Sequence, residues 1–144
     1  YDGTNWVNGT VSSSGSSEEI IEIIVTVEQR PSGGNAYYLN GEESPLLEAY
    51  KISAEMINIK YLKNPFRKFN LFNHYSKKLN LIVNENPMQI EIRFLRYLVQ
   101  INSPKYLLYN SNIDEDLKFI RNNVSFENNK MQNFIFSTIN SLKL

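Results

Sequence analysis

The only histidine of the chain, His74, lies in "NPFRKFNLFNHY", residues 64–75, among four aromatic rings. A histidine-centred metal site on a helix needs Asp or Glu about one turn away. At that spacing His74 has Asn70 and Lys78. No G-x-S-x-G elbow accompanies the histidine, so a nucleophilic triad has no sequence support. His74 reads as a structural or surface residue.

Three further groupings carry potential chemistry. Asp114, Glu115 and Asp116 suggest a hard-cation site, but "DED" lacks the alternation and glycine of a calcium loop. Three acids in the first turn of a helix are accounted for by the helix dipole. Glu91 with Arg93 and Arg96 makes a polar patch of the kind that is solvated or ties one helix to the next. The third grouping is basic: Lys60, Lys63, Arg67, Lys68, Lys77 and Lys78, interleaved with Phe66, Phe69 and Tyr75. Cations beside stacking rings bind single-stranded nucleic acid. Here the rings follow a helical stripe, which predicts that they are core and that the lysines form the wet face. Nucleic acid is therefore not the expected partner. Gly33-Gly34 follows Pro31-Ser32 rather than a strand, which argues against a phosphate loop. With no cysteine in the chain, thiol catalysis, disulfides and thiolate-bound zinc are ruled out. The expectation is a non-enzymatic protein with no cofactor and no metal.

The elements that position these residues follow from patterning. The 144 residues make one ordinary domain, or a small domain with an appendage. The zero net charge conceals a split: residues 1–45 hold seven acids against one base, and the remainder is correspondingly basic. Residues 1–17 have the Gly/Ser/Thr/Asn composition of a flexible linker. Residues 18–43 read as β-rich. β-branched residues predict a strand over 20–28, "PSGGN" a turn, and "AYYLNG" (36–41) a second short strand, together a hairpin. An isoleucine-rich strand with an open edge is a route to oligomers through residues 20–28. No apolar run reaches membrane-spanning length. No leader is visible and Tyr1 stands where a Met would, which predicts a processed or trimmed chain.

From Ser44-Pro45 onward the period is helical, so residues 44–144 form the helical domain. Leu47, Tyr50, Ala54, Ile57 and Tyr61 predict a first helix ending near Lys63. Asn64-Pro65 opens a second to about Val83, its core face being Phe66, Phe69, Phe72 (or Leu71), Tyr75, Leu79, Ile82 and Val83. Asn86-Pro87 opens a third, lined by Ile90 or Glu91, Phe94, Leu95, Leu98 and Ile101 and ending before Ser103-Pro104. Asn112 caps a fourth, with Ile113, Leu117 and Ile120 inward. Ser125 caps a fifth, with Met131, Phe134, Ile135, Ile139 and Leu142 inward. The fold class is mainly α: a bundle of about five helices joined by short connections, with a short N-terminal strand or hairpin.

Two resemblances meet at one seam. "NPF", "IEIRFLR", "SP" and "NIDEDLKFI", spaced as they are from Asn64 to Ile120, resemble a family of helical proteins of unknown function common in Bacteroidetes, over roughly residues 46–122. Asn70 and His74 stand where that family usually has small residues or glycine. The segment also resembles one degenerate tetratricopeptide repeat: Tyr75, Leu79, Ile82 and Pro87 keep the spacing of that motif but not its small residues. "YDGTNWVNG" and "GGNAYYLNGEESP" resemble β-rich repeats of phage tail-fibre and virion structural proteins. Such a seam suggests a fusion, an engineered chimera or a generated sequence.

The helical resemblance implies a tetratricopeptide-like interaction module. A partner groove between the second and third helices, lined by Tyr61, Phe69, Tyr97 and Tyr106, is expected to take a protein or peptide. The phage resemblance implies the alternative, a structural protein that assembles through its N-terminal β segment.

Overall fold

The computed structural model describes residues 38–39 and 42–142. The linker at 1–17 and the strand expected at 20–28 lie outside the described residues. The short strand expected at 36–41 is present as β1 (Tyr38–Leu39), paired antiparallel with β2 (Glu42–Glu43) in the register Tyr38↔Glu43 and Leu39↔Glu42. In sequence the intervening pair is Asn40-Gly41, the dipeptide most favourable for a two-residue hairpin connection.

Five α-helices follow. Helix α1 (Pro45–Asn58) begins where expected: the Ser44 hydroxyl accepts from the Leu47 amide at 3.3 Å, and Pro45 occupies the first helical position. It ends in a 3-10 turn, Ile59–Tyr61, rather than continuing to Lys63. Helix α2 (Pro65–Glu85) is capped by Asn64 Oδ1, which accepts from the amides of Phe66 (3.0 Å) and Arg67 (3.2 Å). Helix α3 (Ile90–Asn102) is followed by the turn Lys105–Leu107. Helices α4 (Ile113–Asn123) and α5 (Asn129–Ser141) complete the bundle. No described helix is long and apolar enough to cross a membrane.

Two helix starts differ from expectation, and each has a local reason. Asn86-Pro87 does not open α3. The Asn86 amide instead donates to Ile82 O at 2.9 Å and closes the end of α2, while Pro87 O accepts from Arg93 Nε at 2.7 Å. The third helix starts only after Gln89. Likewise Ser125 does not cap α5: it belongs to the 3-10 turn Val124–Phe126 that continues α4, and Asn128 Oδ1 takes the Met131 amide at 2.8 Å.

Helix α3 is the axis of the bundle. Every residue from Ile90 to Gln100 except Arg93 is buried, so no face of it is wet. It packs on α1, α2 and α4, and the Phe94 ring meets the Phe134 ring of α5 edge-on at 5.7 Å. Three buried polar side chains on this helix need partners, because an unpaired buried polar group is costly. Glu91 accepts from the Tyr50 hydroxyl of α1. Gln100 Oε1 accepts from the Asn112 amide at the entrance to α4, at 3.1 Å; its Nε2 lacks a hydrogen-bond partner of good geometry among the described residues. Arg96 forms a two-pronged pair with the wholly buried Asp116: Nε to Oδ2 and Nη2 to Oδ1, both at 2.7 Å. Arg93 adds a third bond to Asp116 Oδ1 at 3.1 Å, while its guanidinium lies 4.3 Å from the centre of the Phe119 ring.

The electrostatics follow from this geometry. Burial alone would lower the pKa of Arg96, but the hydrogen bonds and charge of Asp116, aided by Tyr109 and Glu115, hold it above its ordinary value. Glu115 is held below the usual carboxylate range, first by the Asn112 amide and then by Arg93. It is largely exposed, so its pairing stabilises little. The Tyr109 hydroxyl donates to Asn80 Oδ1 at 2.9 Å. Burial pushes its pKa up to about 12, against the opposing influence of Arg96 and of the Gln100 amide.

Core faces shift relative to expectation where a helix has neighbours on two sides or none. On α1 the buried set is Leu46, Leu47, Ala49, Tyr50, Ile52, Ser53 and Met56, so Ala54 and Ile57 are only half-buried and Tyr61 is exposed. On α2 the face from Phe72 through Leu79, Ile82 and Val83 is core, but Phe66 and Phe69 are exposed. Steps of three residues fall short of the 3.6-residue turn, so Phe69 and Phe66 drift round the helix away from the Phe72 face and stay in solvent. Ile101 of α3 is also on the surface, and Ile113 and Leu117 of α4 are half-buried around a buried Ile120.

Two outcomes follow. Asp116→Asn leaves Arg96 buried without its counter-charge and is expected to cost roughly 3–5 kcal/mol in urea unfolding, whereas the paired change Asp116→Leu with Arg96→Met costs much less. At high pH the phenol of Tyr109 stays protonated in the fold while that of the unfolded chain ionises near its ordinary value. Unfolding then releases a proton, and stability falls as pH rises from about 10 to about 12, by at most roughly 2–3 kcal/mol. Urea midpoints of wild type and Tyr109→Phe across that window should diverge; parallel curves would show that Tyr109 is not the titrating group.

Candidate functional site

At one end of the bundle the chain leaves a cleft of about 180 Å³. Much of its lining is apolar: Met56 and Ile57 from the end of α1, Ile59 from the 3-10 turn after it, Phe72 from α2, Val99 from α3 and Leu107 from the turn beyond it. Lys60 and Lys68 also line the cleft, and Pro104 and Tyr106 line it from the turn after α3. Each element arrives for a stated reason. The 3-10 turn after α1 brings Ile59 and Lys60 round against α2. Ser103-Pro104 ends α3, with the Ser103 hydroxyl donating to Val99 O at 2.6 Å, and the turn at Lys105–Leu107 contributes Tyr106 and Leu107 to the lining.

This turn is unusual in its backbone. Leu108 closes the turn with φ 54°, and it alone among the described non-glycine residues has positive φ. That conformation costs an L-residue roughly 1–2 kcal/mol. The leucine gains nothing back by burial, being 81 % exposed, and Tyr106 beside it is 75 % exposed. Strain of this kind, sitting beside an opening, is characteristic of functional loops.

The four residues expected to line a partner groove separate. Tyr106 lines the cleft. Tyr61 (55 % exposed) and Phe69 (51 % exposed) are open to solvent but are not among the residues that line it. Tyr97 is core: 5 % exposed, it stacks on Phe94 with centroids 6.2 Å apart, and burial raises its pKa against the charge of Arg121. The central position of α3 decides this, because a tyrosine one turn from Phe94 has no wet side to occupy. Sequence periodicity missed Met56, Val99 and Leu107. An apolar residue at the end of a helix gives no sign of whether a neighbour covers it.

The residues with catalytic potential do not converge. Both oxygens of Asp116 are engaged by arginines, and Glu115 is held by Arg93 and Asn112. His74 lies on the solvent side of α2 beside Asn70, Asn73, Lys77, Lys78 and Leu81, its ring 5.2 Å from that of Tyr75. Among the described residues no hydrogen bond or ion pair joins His74 to Asp114, Glu115 or Asp116, and no group of three His, Cys, Asp or Glu side chains is placed to hold a metal. In comparisons with family models, curated proteins and solved structures, the chain matches none.

Replacing Leu108 with glycine removes the left-handed penalty and the exposed side chain together. Leu108→Gly is expected to keep or raise stability, by up to roughly 1 kcal/mol, measured as a shift in the urea midpoint. A clear loss would mean that the leucine side chain holds the turn.

Proposed function

We propose that this chain is a non-enzymatic interaction module that holds one apolar side chain of a partner protein or peptide in the cleft between α1, α2 and the Pro104–Leu108 turn. The observation that carries the reading is the cleft itself: a largely apolar lining that includes two lysines and an exposed tyrosine. Small-molecule and cofactor sites usually enclose roughly 300–1,000 Å³. A cleft of about 180 Å³ is smaller than that range and is sized for a single anchoring side chain. Anchors of this kind dominate peptide recognition, with the surrounding contacts supplying complementarity.

The chemistry of the lining narrows the partner. Lys60 and Lys68 favour carboxylates flanking the anchor, so the fitting segment is an apolar residue next to Asp or Glu. Desolvation lowers the Lys60 pKa, and its ammonium lies 5.1 Å from the Tyr61 ring centroid. The spacing of Tyr75, Leu79, Ile82 and Pro87 resembles that of one degenerate tetratricopeptide repeat, a motif of peptide-binding scaffolds, which is in keeping with this reading.

The test is to pan a displayed library of random twelve-residue peptides on the full chain. Enriched peptides should share an aromatic or branched apolar residue beside an acid, and should bind Tyr106→Ala and Lys68→Glu at least tenfold more weakly than wild type. Absence of enrichment, or peptides indifferent to both substitutions, would sink the cleft as a partner site.

A further inference from the structure

Residues 60–84 contain Lys60, Lys63, Arg67, Lys68, Lys77 and Lys78 and not one acid; the next carboxylate is Glu85. In a chain whose formal net charge is zero, this is a concentrated block of positive charge on one helix and its lead-in. Lys63, Arg67, Lys77 and Lys78 are exposed, and none of them forms an ion pair among the described residues, whose bridges involve Lys51, Arg93 and Arg96. Lys77 and Lys78 line a shallow surface trough of about 520 Å³ together with Asn70, Asn73, His74 and Leu81. The rings that the helical stripe assigned to the core are on the surface here, Phe66 at 81 % and Phe69 at 51 % exposed.

We propose that the solvent face of α2 binds single-stranded nucleic acid, with Arg67, Lys77 and Lys78 on phosphates and Phe66 and Phe69 as stacking platforms. The only sequence argument against such a site was that its rings were core, and their exposure removes it. The arrangement discriminates among polyanions. A duplex keeps its bases stacked on each other and cannot use the rings, whereas a single strand offers a π-face at every base. An anionic membrane surface favours a helix with a continuous apolar face, but this face places Asn70, Asn73 and His74 between its rings and its lysines. Amides and an imidazole suit hydrogen bonding to base edges instead.

The experiment is fluorescence anisotropy of the full chain with labelled 20-nucleotide single strands of RNA and of DNA, beside a duplex of the same sequence. Three phosphate contacts give a salt slope of roughly −2, so affinity should fall roughly twentyfold between 50 and 200 mM salt. Lys77→Gln with Lys78→Gln should make that slope shallower by roughly 1.4. Phe66→Ala and Phe69→Ala, at exposed positions, should each weaken binding at least fivefold with helical circular dichroism unchanged. Tyr106→Ala should leave it untouched, which separates this site from the cleft. Three results would overturn the proposal: no binding at 50 mM salt; duplex or poly-glutamate bound as tightly as the single strand with no effect of the phenylalanine changes; or capture by phosphatidylserine vesicles that the oligonucleotide does not displace.

Discussion

The bundle depends on the pairing of Arg96 with Asp116. Helix α3 is buried on all sides yet carries a guanidinium near its centre, and that charge is tolerable only because a carboxylate from α4 meets it with two parallel bonds. Apolar contacts are non-directional, whereas this pair is directional. The two-pronged pair selects one register, since a shift by a single residue would leave both charges buried and unmatched. Arg93 extends the clamp to Glu115 and packs on Phe119, so one side of α4 is fixed by charge and its other residues follow.

The remaining polar residues of α3 repeat this logic in two more directions. Glu91 is joined to Tyr50 and so positions α1; Gln100 receives the Asn112 amide and so positions the entrance to α4. Tyr109 and Asn80 bring the turn region and α2 into the same network, through Asn80 Oδ1, which also lies 3.5 Å from Arg96 Nη1. A helix with this many fixed partners is a rigid frame. The parts of the molecule that reach beyond the frame are the parts open to binding: the first turns of α2, the 3-10 turn after α1 and the Pro104–Leu108 turn.

Each of those parts has its own physical cause. On α2 the three-residue spacing of Phe72, Phe69 and Phe66 carries the rings progressively off the buried face. The turn after α3 closes with Leu108 in a left-handed conformation, and Leu108 and Tyr106 are both exposed there. The result is two adjoining surfaces on one frame, an apolar cleft lined in part by lysines and a basic helix face with exposed rings.

The amino-acid sequence by itself determined the helices. Ser44-Pro45 and Asn64-Pro65 open α1 and α2 as their chemistry requires, and the recurrence of Leu79, Ile82 and Val83, or of Phe94, Leu95 and Leu98, marks faces that are indeed core. These features are local: a cap bonds within four residues, and periodicity is a property of one helix. What the tertiary structure alone decided was which stripe meets a neighbour. Phe66 and Phe69 continue the stripe of Phe72 yet lie in water, Tyr97 falls inside, and Asp116, to all appearance a dipole-compensating acid at a helix start, is the most deeply buried charge of the bundle. Burial is a relation between elements, set by their relative lengths and angles. One helix read alone carries only half of that relation.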